Sequence, residues 1–224
     1  MENNSCSKNN TCSTHSENKI PNLSDHWDKA YTNNPEEKLG WFEIDFKPMF
    51  QLINKTGIEK SARILNAGAG ITNLVDALLH NHYSNIIATD LSKVALNNLS
   101  SRVGKENLTC IVDDLTNPTI LNNISPVDLW IDRAVLHFFI DKKDQDTYFD
   151  LIKNKVKEKG FVILAEFSLK GAKKCSGLDV KQYSKEMFQD RLGSDFEMVD
   201  SFDYIYTMPS GAERPYVYSL FRKN

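Results

Sequence analysis

Long apolar runs are missing from this 224-residue chain. Arg, Lys, Asp or Asn interrupts every stretch before it reaches the roughly 18 residues that span a bilayer, so no membrane partner is expected. Excess charge of one sign is missing as well: 27 Lys and Arg against 30 Asp and Glu leave a formal net charge of -3, which gives no electrostatic reason to expect nucleic acid. Cysteine is scarce. Cys6, Cys12, Cys110 and Cys175 make no CxxC pair and no disulfide framework, and the first residues hold no apolar leader, so a reducing cytoplasm is the expected setting. Cys6, Cys12 and His15 are three conceivable metal ligands without a fourth, so no metal is expected.

What is present suits one folded domain. Hydrophobic residues make up 41% and charged residues 25%, ordinary values for a chain able to bury a core. Residues 1–24, rich in Asn and Ser, bury too little to offset the entropy of ordering and predict a disordered tail. Residues 25–57 predict a short helical cap: Trp27 and Tyr31 are four apart, Pro35 breaks the segment, and Phe46, Met49, Phe50 and Ile53 recur at helical spacing up to Gly57.

From residue 58 to 224, strand-like runs alternate with longer helical ones. Strands are expected at 63–67, 85–89, 108–112, 127–131 and 161–167, and helices at 72–82, 92–103 and 142–159. Such alternation requires parallel strands joined by crossover helices, a doubly wound α/β sheet. Residues 196–208 and 216–222 read as two further strands. The loop between them is too short for a crossover helix, so a mostly parallel seven-stranded sheet should end in a reversed antiparallel hairpin.

The first strand runs into Asn66-Ala67-Gly68-Ala69-Gly70-Ile71-Thr72, a glycine turn that lets the backbone approach a ligand before a helix starts at a Thr cap. Asp90 follows at the end of the second strand, where an acid accepts ribose hydroxyls, so a nucleoside cofactor is expected unless Asp90 merely caps the next helix. Asn73 stands where a dinucleotide turn carries its third glycine, which disfavours NAD. Asp113-Asp114-Leu115 ends the third strand and offers either an acceptor for an adenine amino group or a cap for the following turn.

Together with HWDKAY at 26–31, GWFE at 40–43, GAGITNLVDALL at 68–79, DLWIDRAVLHFF at 128–139 and CSGLDVKQYS at 175–184, these features resemble the class I S-adenosylmethionine-dependent methyltransferases, in particular small bacterial members of poorly defined substrate. The resemblance spans residues 26–223. It implies a Rossmann-like methyltransferase fold with S-adenosylmethionine as cofactor. Gly68 and Gly70 would then lie against its methionine arm and ribose, Asp90 and Leu91 would hold ribose and adenine, and Asp113, Asp114 and Leu115 would face the adenine edge. Asp132 and Arg133 would lie near the reactive methyl. Asn66 stands where members usually carry an acid and Thr72 where many carry glycine, and both stay in the expected cofactor set.

The chemistry so implied is in-line displacement at a sulfonium methyl, which needs alignment and exclusion of water more than acid–base help. The aromatic cap suits a lid, with Trp27, Tyr31 and Trp41 as candidate acceptor-binding residues, although each is equally at home as core. Asp132 and His137 are the candidate catalytic side chains. His137 titrates near neutrality and so is the candidate base, or else it is a structural histidine. Cys175 is a further residue that either touches substrate or is simply buried. The acceptor is expected to be a small molecule, because no accessory domain offers a docking surface for a macromolecule, and the protein a monomer or homodimer. A protein-lysine acceptor and a non-catalytic cofactor-binding protein are the alternatives.

Overall fold

The computed structural model describes residues 23–224, so residues 1–22 of the proposed tail, with Cys6, Cys12 and His15, lie outside the described residues, whereas Leu23 and Ser24 are helical. The first helix, α1, spans Leu23–Asn33 and begins two residues before the expected start of the cap. After a 3-10 turn at Glu36–Lys38, α2 covers Lys47–Thr56, with Pro48 in its first turn and Gly57 ending it in the left-handed conformation at φ 63°.

The alternation then runs β1 (Ile64–Ala67), α3 (Leu74–His80), β2 (Ile86–Asp90), α4 (Lys93–Val103), β3 (Leu108–Val112), β4 (Val127–Arg133), α5 (Lys142–Lys155) and β5 (Val156–Phe167). A two-residue hairpin, β6 (Lys174–Cys175) and β7 (Leu178–Asp179), precedes α6 (Lys185–Leu192), and β8 (Phe196–Thr207) and β9 (Glu213–Lys223) close the chain. The seven-stranded sheet has the order β3-β2-β1-β4-β5-β9-β8. Strands β1 to β5 are parallel, β9 runs antiparallel to both β5 and β8, and the expected reversed hairpin is present.

Side chains alternate across the sheet as its pleat demands. Ile64, Leu129, Ile131 and Ile163 face a core that α2, α3 and α4 complete with Leu52, Leu78 and Leu99. Leu65, Trp130, Val162 and Leu164 face the opposite core, completed by Tyr148, Phe149 and Ile152 of α5 and by Phe188 of α6. Helix α2 therefore belongs to the main core. Only α1 and the segment after it, through Trp41 and Phe42, form a separate small cluster over Ile71 and Ala95.

The widest boundary difference from the sequence expectation lies at the junction of α5 and β5. Helix α5 stops at Lys155 rather than Lys159, because Val156 turns extended and buries in the sheet, starting a β5 that pairs with β4 across a bulge. The charged run Lys157-Glu158-Lys159 carries no helix-breaking residue, which is why pattern alone extends the helix.

Candidate functional site

The glycine turn after β1 depends on its two glycines. Gly68 has φ 56° and Gly70 φ 55°, in the left-handed region where side chains are strained. A Cβ on Gly68 would lie 2.2 Å from Val135 Cγ2, and one on Gly70 would lie 2.5 Å from the Tyr31 hydroxyl oxygen. Asp90, at the tip of β2, ties this turn to the next one: Oδ2 accepts the Gly70 N–H at 2.8 Å and Oδ1 the Ser92 N–H at 2.8 Å. Burial pushes the Asp90 carboxyl up to about 6, and hydrogen bonds from the Ser92, Gly70 and Leu91 backbone hold it from rising further.

Asp90, Leu91, Gly68, Asn66 and Thr72 line one cavity of about 490 Å³ over the strand ends, whereas Gly70 lies just outside the lining. The Asn66 Nδ2 is buried with no hydrogen-bond partner among the described residues. The Thr72 hydroxyl accepts the Leu74 N–H at 3.1 Å just before α3, whose N-cap position falls on Asn73 rather than on the expected Thr72.

At the β3 end the two acids divide the work. Asp113 is consumed by its own loop, accepting the Thr119 N–H, the Thr119 hydroxyl and the Leu121 N–H at 2.8–3.1 Å. Asp114 spends only Oδ1, on the Thr116 N–H and hydroxyl, and its second oxygen has no partner among the described residues. Both acids and Leu115 line the cavity.

The cap supplies the roof. Trp27, Tyr31, Trp41 and Phe138 meet edge to face, with Trp27 centroids 5.7 Å from Trp41 and 5.0 Å from Phe138. Asp28 pins α1 in place by accepting the Ser92 hydroxyl and the Val94 N–H at the start of α4. Arg133, at the tip of β4, holds the next cap segment: Nε lies 2.9 Å from Glu43 Oε2, Nη1 donates to the Trp41 carbonyl at 3.2 Å, and Nε also faces the Tyr218 hydroxyl at 3.2 Å.

A family model described as a methyltransferase domain matches residues 65–164, which run from β1 and its glycine turn into β5. That stretch is similar to a methyltransferase domain. The chain's fold is similar to that of a SAM-dependent methyltransferase from Anabaena variabilis, with TM-score 0.74 at 14% identity over 90% of this chain and 93% of that one. A SAM-dependent methyltransferase from Clostridium acetobutylicum gives TM-score 0.60 at 18% identity over 90% and 98%. The 1,6-didemethyltoxoflavin-N1-methyltransferase of Burkholderia thailandensis, solved with 1,6-didemethyltoxoflavin and S-adenosylhomocysteine, gives 0.63 at 19% over 80% and 78%. No curated protein matches the chain.

Asp132 and His137, the candidate catalytic side chains, sit in the core rather than in the cavity wall. Both are fully buried and neither lines the cavity. Asp132 accepts the Tyr148 hydroxyl and the N–H groups of Val135 and Leu136 at 3.1 and 3.2 Å. Glu166 of β5 takes the same turn from the other side, accepting the Leu136 and His137 N–H groups at 3.2 and 3.3 Å. Burial and the neighbouring Glu166 carboxyl raise the Asp132 pKa, while burial pushes Glu166 up to about 7. His137 stacks on Phe167 at 4.5 Å with Nδ1 2.7 Å from Glu166, and burial drives its pKa down to about 3, so it is a neutral part of the core.

The two carboxyl groups thus clamp the turn that carries Val135 against Gly68. Glu166 escaped the motif reading, though a charge inside the apolar run Phe161–Phe167 is a signal of a buried polar role.

Proposed function

We propose that the protein transfers the methyl group of S-adenosylmethionine to a small-molecule acceptor by in-line displacement in the cavity over β1 to β4. The observation that carries this reading is the set of unsatisfied or expandable polar groups in one wall: the Asp90 carboxylate, the partnerless Asn66 Nδ2 and the open Asp114 oxygen. Asp90 is suited to ribose hydroxyls, Asp114 with Leu115 to the adenine edge, and Asn66 with the Gly68 turn to the polar methionine arm. When bound, the cofactor supplies an activated methyl on a cationic sulfur.

The protein's share is placement and dryness. The Trp27, Tyr31, Trp41 and Phe138 rings exclude water above the strand ends, and the glycine turn allows close backbone approach. Burial raises the Tyr31 pKa well above the ordinary phenol range, so it stays a neutral donor. Asp132 and His137 lie beneath the wall, outside the cavity lining.

A cavity of about 490 Å³ falls in the range of about 300–1,000 Å³ typical of small-ligand sites, which supports the small acceptor. The test is incubation with methyl-labelled S-adenosylmethionine and a cell extract split by size. Label in the low-mass fraction supports the proposal, and label confined to protein favours the lysine reading. Cofactor binding with no label in either fraction favours a non-catalytic role.

A further inference from the structure

The charge of the cavity lining is one-sided. Among the described residues its only basic side chain is Arg133, at the tip of β4, and Glu43 occupies that guanidinium at 2.9 Å. Beyond β4 the wall carries Asp141 and Asp144 at the start of α5 and Asp179 on β7. The Asp141 and Asp144 carboxylates make no hydrogen bond or ion pair among the described residues, although Asp141 stands at the N-cap of α5. Asp179 meets Lys174 at 3.0 Å, but the two side chains are 67% and 70% exposed, and such a pair is worth little in water. Burial, then the Asp141 and Asp114 carboxylates, push Asp144 above the ordinary carboxylate range, and Lys143 offsets only part of that rise. The cavity is marked for a ligand independently of these acids, because Asn66, 3% exposed, lines it with Nδ2 lacking a partner among the described residues.

We propose that the acceptor is a small organic cation, its ammonium or guanidinium held by the acidic wall beyond β4 and a separate, uncharged atom taking the methyl group. The inference rests on the methyl-transfer reading above and adds the acceptor's charge to it. S-adenosylmethionine carries a sulfonium and an ammonium against one carboxylate, so its single excess positive charge leaves most of the acidic lining unmatched. Asp90 and Asp114, which follow β2 and β3, are taken by the ribose and adenine in that reading, so Asp141, Asp144 and Asp179 are left for the acceptor. An anion there would face unpaired carboxylates at close range. The rings of Trp27, Trp41 and Phe138 line the same cavity, suit a flat or hydrocarbon body, and attract a cation through their faces. In the transfer the acceptor's lone pair forms the new bond to carbon, and the carbon–sulfur bond breaks with its electron pair left on sulfur. Positive charge thus passes from sulfur to acceptor and stays within the same acidic field.

The experiment uses the full chain saturated with S-adenosylhomocysteine and three probes that share one ring and spacer: tryptamine, indole-3-propionamide and indole-3-propionate, a cation, a neutral amide and an anion. Titration with S-adenosylhomocysteine alone comes first. Failure there overturns the cofactor reading, whereas failure of the second stage overturns only this one. Tryptamine should bind about tenfold tighter than the amide, as two or three ion pairs of ordinary strength imply, and the propionate should bind weakest. Raising the salt from about 0.01 M to about 1 M, which shortens the screening length from about 30 Å to about 3 Å, should shrink that preference. Asp141→Asn combined with Asp144→Asn keeps a good capping residue at the start of α5. This double variant should weaken tryptamine by about threefold or more and leave the amide within about twofold, the control that the cavity is intact. An amide or propionate that binds as tightly as tryptamine, a preference indifferent to salt, or a double variant that weakens all three probes alike or none would overturn the proposal.

Discussion

Asp90 provides a test in which pH and substitution act on the same atoms. In the free protein its carboxyl is pushed up to about 6 by burial while accepting two backbone N–H groups at 2.8 Å. A ribose that donates its hydroxyls to Asp90 favours the ionised form, so binding lowers this pKa and tightens as pH rises through 6. At pH 5 only about one tenth of the free protein carries the ionised group, so affinity for S-adenosylhomocysteine should fall about tenfold from its plateau above pH 7. Asp90→Asn removes the charge and turns one acceptor into a donor facing an N–H. The loss expected for hydrogen bonds to a charged group, about 1.5–3 kcal/mol, corresponds to roughly 10- to 150-fold weaker binding at pH 7.5. Calorimetry from pH 5 to 8 on both proteins measures the effect, with a sloping profile for the wild type and a flat one for the variant. Parallel profiles, or a variant that binds normally, would refute the assignment of Asp90 to the ribose.

Two further outcomes are expected. Gly68→Ala should destabilise the protein by about 3 kcal/mol, since left-handed strain costs about 1–2 kcal/mol and the new methyl group meets Val135 at 2.2 Å. Adding Val135→Ala should recover part of that loss in denaturant melts, and a double variant no more stable than Gly68→Ala would refute the contact. Glu166 has its pKa raised from about 4.5 to about 7, so its contribution to stability is fully present below pH 4.5 and is lost as pH rises through 7. The lost amount is about 3 kcal/mol at 1.36 kcal/mol per unit. Glu166→Gln should therefore flatten the decline in unfolding free energy between pH 4.5 and 7, and parallel declines in the two proteins would count against a buried, titrating Glu166.

Local signals made the part of the cavity over β1 to β3 legible from sequence. The glycine turn and Asp90 are each announced by a strand end followed by a helix start, Asp114 by a strand end alone, and all three meet at one cavity. The rest is set by pairings remote in sequence and by strand alternation. Asp132 lies two residues after Trp130, so it shares the face covered by α5, where the Tyr148 hydroxyl reaches it and accepts the Trp130 indole N–H at 3.2 Å. Arg133 points to the opposite face and enters the cavity wall. Its partners Glu43, Trp41 and Tyr218 lie about 90 residues away on either side, which no local pattern reveals. The β6–β7 hairpin is too short for periodicity to show. Its one trace is the Ser176-Gly177 pair, with φ 52° and 81°, typical of a tight hairpin turn.

The strand order itself explains why the cavity lies where it does. Successive strands step outward from β1 to β3 on one side, and the chain then returns to lay β4 and β5 on the other. The loops after β1 and β4 therefore leave the sheet toward opposite faces, opening a crevice at their shared tips, where α/β sheets bind ligands. Here Val135 fills the space beside Gly68, and the buried Asp132 and Glu166 carboxyls fix the turn that presents it. A hydrophobic pair would pack beneath that turn without the cost of two buried acids, but it would leave the Val135, Leu136 and His137 N–H groups unbound. The carboxyl pair is thus the means by which a tight turn survives at the switch point, and the shape of the cavity floor depends on it.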